Sequence, residues 1–435
     1  MRSLRLAFAT AALAAAALPV ALAAQDTTGV RLGLVYQTEY RPGFVVLPFA
    51  GEGAAAQVRA VVARDLDFSD RFEMREPDAG TRAGDPVNAA LWKERGADWV
   101  LAGQIRPGPE GSTLTLTLTD AVYGQVRGTQ SFDLPAAGRA QRMAAHAVAD
   151  VVVRWITNEP GAAASRIAYT VAERGSKEIW MVDSDGEGAQ RVTTDGSIAL
   201  SPAWSPDGRK LAYTSFRGGG PWLYERDLAS GADRLLSDRA GLNMSPSYAP
   251  DGRSIAFATT VGSETEVATY DLERRCCVTA QTRGGRFASL SPSWAPDGRR
   301  FAFVSDRLGE PQIYVMSPGG DARLVSDYVY GRRGYSASPD WSPKGDRIAY
   351  HSRVGGSFQI VVVPAEGGQT RLLTNSGRNE DPSWSPDGRH LVYASDRDGG
   401  GLYVLDTVTG RTRPLVRGGG LGLPAWSPVL QRAGR

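Results

Sequence analysis

The chain has 435 residues, with Lys+Arg 49 against Asp+Glu 47 and a formal net charge of +2; that argues against nucleic acid as the main partner, because phosphate neutralisation needs a clear basic excess. Its 42% hydrophobic and 22% charged residues form a globular composition that excludes disorder, and the length is enough to bury two cores. Two cysteines exclude a disulfide scaffold and a cysteine-ligated zinc site of the common kind.

Arg2 and Arg5 lead an alanine-rich apolar run from Leu6 to Ala24 that contains Ala21-Leu22-Ala23. A basic head, an apolar stretch and an A-x-A exit form the pattern of a cleaved secretory signal. Pro19 and the alanine content make the run a poor membrane anchor, which needs about 20 strongly apolar residues. Cleavage is expected after Ala23, with Ala24 as the alternative. No later segment reads as a bilayer span, so the expected product is exported and inserts into no membrane. Losing residues 1–23 removes two arginines and no acids, which leaves 47 basic against 47 acidic groups.

Residues 24–159 are expected to form a mixed α/β domain. Val30–Tyr36 and Phe44–Phe49 read as strands, and Ala54–Phe68 is apolar at helical spacing. Pro86–Arg95 predicts a short helix opened by Asp85 and Pro86. Asp98–Ile105, Ser112–Ala121 and Val126–Leu134 read as strands. Gly138–Asn158 reads as a helix with Met143, Ala147, Val151 and Trp155 along one face. Residues 160–165, from Pro160 and Gly161 through a run of alanines, are the expected linker.

From residue 166 one phrase recurs. Its clearest copies are Ser201-Pro-Ala-Trp-Ser-Pro-Asp-Gly-Arg209, Ser291-Pro-Ser-Trp-Ala-Pro-Asp-Gly-Arg299 and Asp381-Pro-Ser-Trp-Ser-Pro-Asp-Gly-Arg389. The aromatic position falls at Trp204, Tyr248, Trp294, Trp341, Trp384 and Trp426, at intervals of 44, 46, 47, 43 and 42 residues. A period in the forties with several short strands per unit is the signature of propeller blades. Pro-Asp-Gly is a tight-hairpin signal, and the strands that follow, such as Ile348-Ala-Tyr350, alternate with period 2. The first of these strands, Ile167-Ala-Tyr169, has no aromatic-Ser-Pro strand before it, and the last aromatic-Ser-Pro strand, at Trp426, has no partner after it. The two orphans complete each other. Six blades over residues 166–428 are therefore expected, closed by the C-terminal strand so that no sheet edge stays free, with residues 429–435 as a tail. The recurring Trp, Pro and Gly read as scaffold, and function is expected in the loops that vary between copies.

No catalytic constellation stands out. His146, His351 and His390 lack a second His or a carboxylate at metal-ligand spacing in the sequence, and no nucleophile elbow, P-loop or dinucleotide fingerprint occurs. The Ser-Asp-Arg turns at Ser305 and Ser395 read as repeat grammar. Cys276-Cys277 is compatible with either a vicinal disulfide or two free thiols. The expectation is no enzyme, no cofactor, no metal and a monomer. An exported propeller that binds or cleaves glycans or peptides is the alternative reading.

An exported α/β domain followed by six "SPxWSPDGRxIAF" blades resembles the TolB family, periplasmic components of the Tol–Pal system. Val45-Val-Leu-Pro-Phe49, Asp65-Leu-Asp-Phe-Ser-Asp-Arg-Phe72, Ala97-Asp-Trp-Val-Leu-Ala-Gly103 and Arg166-Ile-Ala-Tyr169 are similar to segments of that family, as is the C-terminal Pro424-Ala-Trp-Ser-Pro428. The resemblance implies a non-enzymatic periplasmic adaptor that keeps the outer membrane intact and constricts it during division. It implies that the mature N-terminus engages TolA, here at Val30, Arg31 and Leu32. It also implies that one propeller face binds the lipoprotein Pal. The loops leading into the aromatic-Ser-Pro strands map to Leu242, Asn243, Met244 and Ser245, to Ala288, Ser289, Leu290 and Ser291, and to Asn379, Glu380 and Asp381. Each of these loops joins an outer strand to the next inner one, so all should open on one face.

Overall fold

The computed structural model describes residues 40–108, 111–283, 285–328 and 334–430. The first described part is an α/β domain: β1 (Gly43–Val46), α1 (Ala55–Phe68), β2 (Glu73–Arg75), α2 (Ala89–Glu94), β3 (Trp99–Gly108), β4 (Gly111–Asp120), β5 (Gln125–Pro135) and α3 (Gly138–Thr157). The sheet runs β2-β1-β3-β4-β5. β1 is parallel to β2 and β3, and the β3–β4–β5 end is antiparallel. Strand alternation sends Phe44, Val46, Leu114, Leu116 and Leu118 into a core shared with α1 and α3. Val45, Val100 and Trp92 of α2 form a smaller core.

Three local expectations are corrected. The strand from Phe44 ends at Val46, because Pro48 has no N–H for the ladder; pairing resumes irregularly through Leu47 and Ala50. The short helix starts at Ala89 rather than Pro86, because Asn88 is the residue whose side chain caps it, accepting the Leu91 N–H at 3.1 Å. The four-residue stripe on α3 is also not one face. At 100° per residue, steps of four drift by about 40° each. Met143 and Ala147 consequently pack on Ala164 and Leu430, while Val151 and Trp155 pack at the edge of the sheet core. α3 is buried on two sides.

Six four-stranded antiparallel sheets follow. Blade one combines Leu421–Trp426 with Arg166–Glu173, Ser176–Asp183 and Gln190–Arg191, so the C-terminal strand closes the ring as expected. Blades two to six begin on the inner strands Ala199–Trp204, Asn243–Tyr248, Ser289–Trp294, Ser336–Trp341 and Asn379–Trp384, and each steps outward as a meander. The Pro-Asp-Gly hairpins form through local chemistry. In blade two the Ser205 carbonyl accepts the Gly208 N–H at 2.9 Å, and Asp207 accepts the Arg209 N–H at 3.0 Å; Gly208 sits at φ +69, open to glycine without a Cβ penalty.

The aromatic position seals one blade against the next. Trp204 packs with Ile179 of blade one and Tyr213 of blade two, and its indole N–H donates to the Ala425 carbonyl at 3.0 Å. The residue before it carries the next link. Ser293 Oγ accepts the Trp341 N–H at 2.9 Å, Asp340 the Trp384 N–H at 2.7 Å, and Ser383 Oγ the Trp426 N–H at 3.1 Å. Burial pushes the Asp340 carboxyl up to about 6, and that backbone N–H opposes the shift. No helix among the described residues is long and apolar enough to cross a membrane.

Candidate partner-binding face

A four-stranded meander places its first and third hairpins on one face of the ring, and its second hairpin with the loops between blades on the other. The α/β domain packs on the first of these, the turn face, at blades six and one. Arg411 of blade six reaches Asp67 at 3.0 Å and Asp70 at 2.9 Å. Arg142 of α3 reaches Asp183 at 3.2 Å and also pairs with Asp185. Two buried histidines cross the boundary in opposite senses. His146 of α3 contacts Asp65 at 2.7 Å and blade one's Asp183 at 3.8 Å. His390 of blade six contacts Asp387 at 3.5 Å and Asp70, just after α1, at 3.3 Å. Burial alone would lower both imidazoles. The charge and hydrogen bonds of their carboxylates win, taking His146 up to about 10 and His390 up to about 9.

The groups Asp65–His146–Asp185 and Asp70–His390–Asp406 have the spacing of metal ligands. Their carboxylates are already engaged, Asp185 by Arg142, Asp70 by Arg411 and Asp406 by Arg389 at 2.9 Å. They therefore read as inter-domain ion networks. Sequence spacing hid them, because Asp65 lies 81 residues from His146 and Asp70 lies 320 from His390.

The opposite, loop face carries the channel mouth. In every blade the first residue of the Ser-Pro phrase has a left-handed backbone: Ser201, Ser245, Ser291, Ser338, Asp381 and Leu423, with φ between +48 and +53. The ladder of each inner strand shifts register at that place. Six aligned bulges thus re-aim six strands around a channel of about 310 Å³ lined by the Ser-Pro segments, Asp340 and Asp381. Among these six residues Asp381 is the one carboxylate. Ser338 Oγ donates to it at 2.7 Å, and its own N–H donates to His351 Nδ1 at 3.2 Å, so His351 presents an acceptor nitrogen there. Burial holds the His351 imidazole below its ordinary range.

The expected Pal-contact residues divide by burial. Asn243, Ser289 and Asn379 are buried. Asn243 accepts from Ser237 Oγ at 2.8 Å, and its amide donates to the Arg239 carbonyl; Asn379 donates to Gln359 and to the Ser376 carbonyl. They hold the loops. Leu242, Met244, Ser245, Ala288, Leu290, Ser291, Glu380 and Asp381 are half-buried beside them. Val30, Arg31 and Leu32 lie outside the described residues, as does the expected strand Val30–Tyr36. The two cysteines form a Cys276–Cys277 disulfide in the outer strand of blade three, which decides between the two readings of that pair.

Sequence reasoning missed a further set. Ile198, Val261, Phe287 and Leu308 are exposed apolar side chains, and all four lie in loops or second hairpins of blades two to four, on the loop face. Single apolar residues in loops are ordinary, so only their shared face marks them.

The fold and this face define a class: a six-bladed propeller that carries an α/β domain on its turn face and whose loop face and channel mouth are left uncovered among the described residues. The chain matches the TolB β-propeller domain over residues 153–430 and the TolB amino-terminal domain over residues 36–126. It belongs to the TolB family. The Tol-Pal system protein TolB of Methylococcus capsulatus is 37% identical over 201 residues, 44% of this chain and 47% of that protein. The protein of the same name from Anaeromyxobacter sp. strain K is 38% identical over 233 residues, 51% of this chain and 52% of that one. The matches thus span about half the length of these relatives. The crystal structure of TolB from Acinetobacter baumannii superposes with a TM-score of 0.78 at 29% identity, covering 91% of this chain and 99% of the other.

Proposed function

We propose that this chain is a non-enzymatic periplasmic component of the Tol–Pal system. In this reading the loop face binds the lipoprotein Pal, and the mature N-terminus, at Val30, Arg31 and Leu32, binds TolA. The protein then supports outer-membrane integrity and the inward folding of that membrane during division. The observation that carries the Pal assignment is the asymmetry of the ring: the α/β domain packs on the turn face at blades six and one, while the loop face surrounds the channel mouth with exposed Ile198, Val261, Phe287 and Leu308. Apolar side chains gathered on one face are what a protein partner covers. The buried Asn243 and Asn379 position the loops, and the half-buried Leu242, Leu290 and Glu380 stand closer to the partner. The names of the matched relatives support the same reading.

Titration calorimetry of the full chain against the periplasmic domain of Pal tests it. Combining Leu242→Ala, Phe287→Ala, Leu290→Ala and Glu380→Ala should weaken binding by at least about 30-fold, since a few central residues carry most interface energy, with the melting temperature little changed. Unchanged affinity in the folded variant would refute the assignment of this face.

A further inference from the structure

The Ser-Asp-Arg turns split into two roles. Each aspartate faces inward: Asp306 accepts the Ala288 N–H at 2.8 Å, and Asp396 accepts the Arg378 N–H at 2.7 Å, so both tie down loops that lead into inner strands. Each arginine instead lies across aromatic rings. The Arg307 guanidinium sits 4.6 Å from the ring centre of Tyr314 and 5.5 Å from that of Phe303, and Arg397 sits 5.6 Å from Tyr403. In blade five the second hairpin is longer, and Arg353 lies 5.3 Å from Phe358 and 5.7 Å from Tyr335. Blades four, five and six therefore each present one stacked guanidinium from the second hairpin, on the loop face.

Stacking fixes the plane of a guanidinium and leaves its edge donors free. Arg307 uses one donor on Ser305 Oγ at 3.1 Å, and Arg397 one on Ser376 Oγ at 3.3 Å. Among the described residues none of the three pairs with a carboxylate, whereas the stacked Arg217 of blade two is held by Asp195 at 3.0 Å and Asp233 at 2.7 Å. The same device is closed in blade two and open in three consecutive blades.

We propose that Arg307, Arg353 and Arg397 form an arc that captures carboxylates on the partner protein docked to the loop face, so that the partner presents an acidic strip to blades four to six. The inference rests on the Pal reading of that face and names the chemistry of contact. A protein surface is favoured over an anionic membrane because Glu380, Asp396 and Asp398 stand at the blade-six end of the arc, on Arg378 and Tyr403, and would repel a continuous sheet of phosphates. Arginine set on aromatic rings is also the composition of protein–protein hot spots.

Titration of the full chain with the Pal periplasmic domain at two ionic strengths tests the arc. Arg307→Gln, Arg353→Gln and Arg397→Gln should each weaken binding about 5-fold, and the triple variant about 100-fold with a shallower salt dependence, as expected for lost cross-interface charge pairs. Arg353→Lys, which keeps the charge and loses the fork, should fall between. A triple variant that melts like the unmodified protein and binds Pal equally well overturns the arc while leaving the Pal reading standing. No binding of Pal by the unmodified protein overturns both. Loss of binding to phosphatidylglycerol vesicles, with Pal affinity intact, would mark the arc as a membrane contact and refute it.

Discussion

Asp150 and Gly161 join the two parts of the chain at the scale of single residues. The Asp150 carboxyl, buried on α3, accepts the N–H groups of Ala163 at 2.8 Å and Ala164 at 3.0 Å. Burial pushes it up to about 7, against the pull of those two N–H groups. A Cβ on Gly161 would come within 2.1 Å of Asp150 Oδ1 and 2.8 Å of its Cα. Both are tighter than real contacts, and the helix backbone cannot yield. Gly161→Ala should therefore cost about 2–3 kcal/mol in urea unfolding, in the range of overpacking a filled interior; a cost below about 0.5 kcal/mol would show that the segment is free to move. The linker composition was legible in the sequence. That the segment is docked was not, because its anchor is a side chain 13 residues earlier with no local signature. Pro-Asp-Gly and its neighbours were legible for the opposite reason, since their bonds close within five residues.

Among the elements, the strand Leu421–Trp426 carries closure. It is the inner strand of blade one, paired with Arg166–Glu173, and Trp426 packs with Ile167, Tyr169, Val404 and Leu415 from the first and last blades. Its indole N–H donates to Ser165 Oγ at 2.7 Å. Trp426→Ala should destabilise the fold by about 3–5 kcal/mol, the usual cost of emptying a buried aromatic site. Trp155→Ala, at the half-buried edge of α3, should cost less. Urea midpoints of the two variants make the comparison, and equal losses would deny Trp426 its closing role. The two unmatched half-phrases were enough to foresee this pairing, because a repeat records which strand each blade lacks. The α3 stripe was misread because a four-residue spacing cannot reveal that a helix has neighbours on two sides. The loop face was half legible: its location followed from strand order, but the stacked arginines looked like repeat grammar until the rings beneath them were placed.

For the whole molecule, orientation of the two parts depends on charge held out of water. His146 reaches from the α/β domain to Asp183 of the propeller, and His390 reaches back to Asp70; neither pairing is visible without the fold. Their ordinary value is 6.5, and in the fold they stand at about 10 and about 9. The folded protein therefore holds protons that the unfolded chain releases above pH 6.5. The stability this contributes is fully present below pH 6.5 and is lost as pH rises through 9 to 10. Asp150, raised from 3.8 to about 7, adds a loss of the same sign between those values. Asp183 and Asp406, held below the ordinary carboxylate range against the effect of burial by His146 with Arg166, and by Arg389 with His390, oppose it only at low pH. Unfolding free energy should accordingly fall between pH 7 and pH 9, by about 1.4 kcal/mol per pH unit for each histidine that keeps its proton. Hydrogen-exchange protection across α3, taken relative to the unfolded chain at each pH, should fall over the same interval if the contact between the parts loosens before either unfolds. Urea unfolding at pH 6.5, 7.5 and 8.5 gives the slope, and the double variant His146→Gln, His390→Gln should be less stable at pH 6.5 and, once Asp150 has lost its proton near pH 7, nearly flat from pH 7.5 to 8.5. A flat profile in the unmodified protein would mean that the imidazoles are neutral in the fold and that the arginine pairs alone hold the two parts in register.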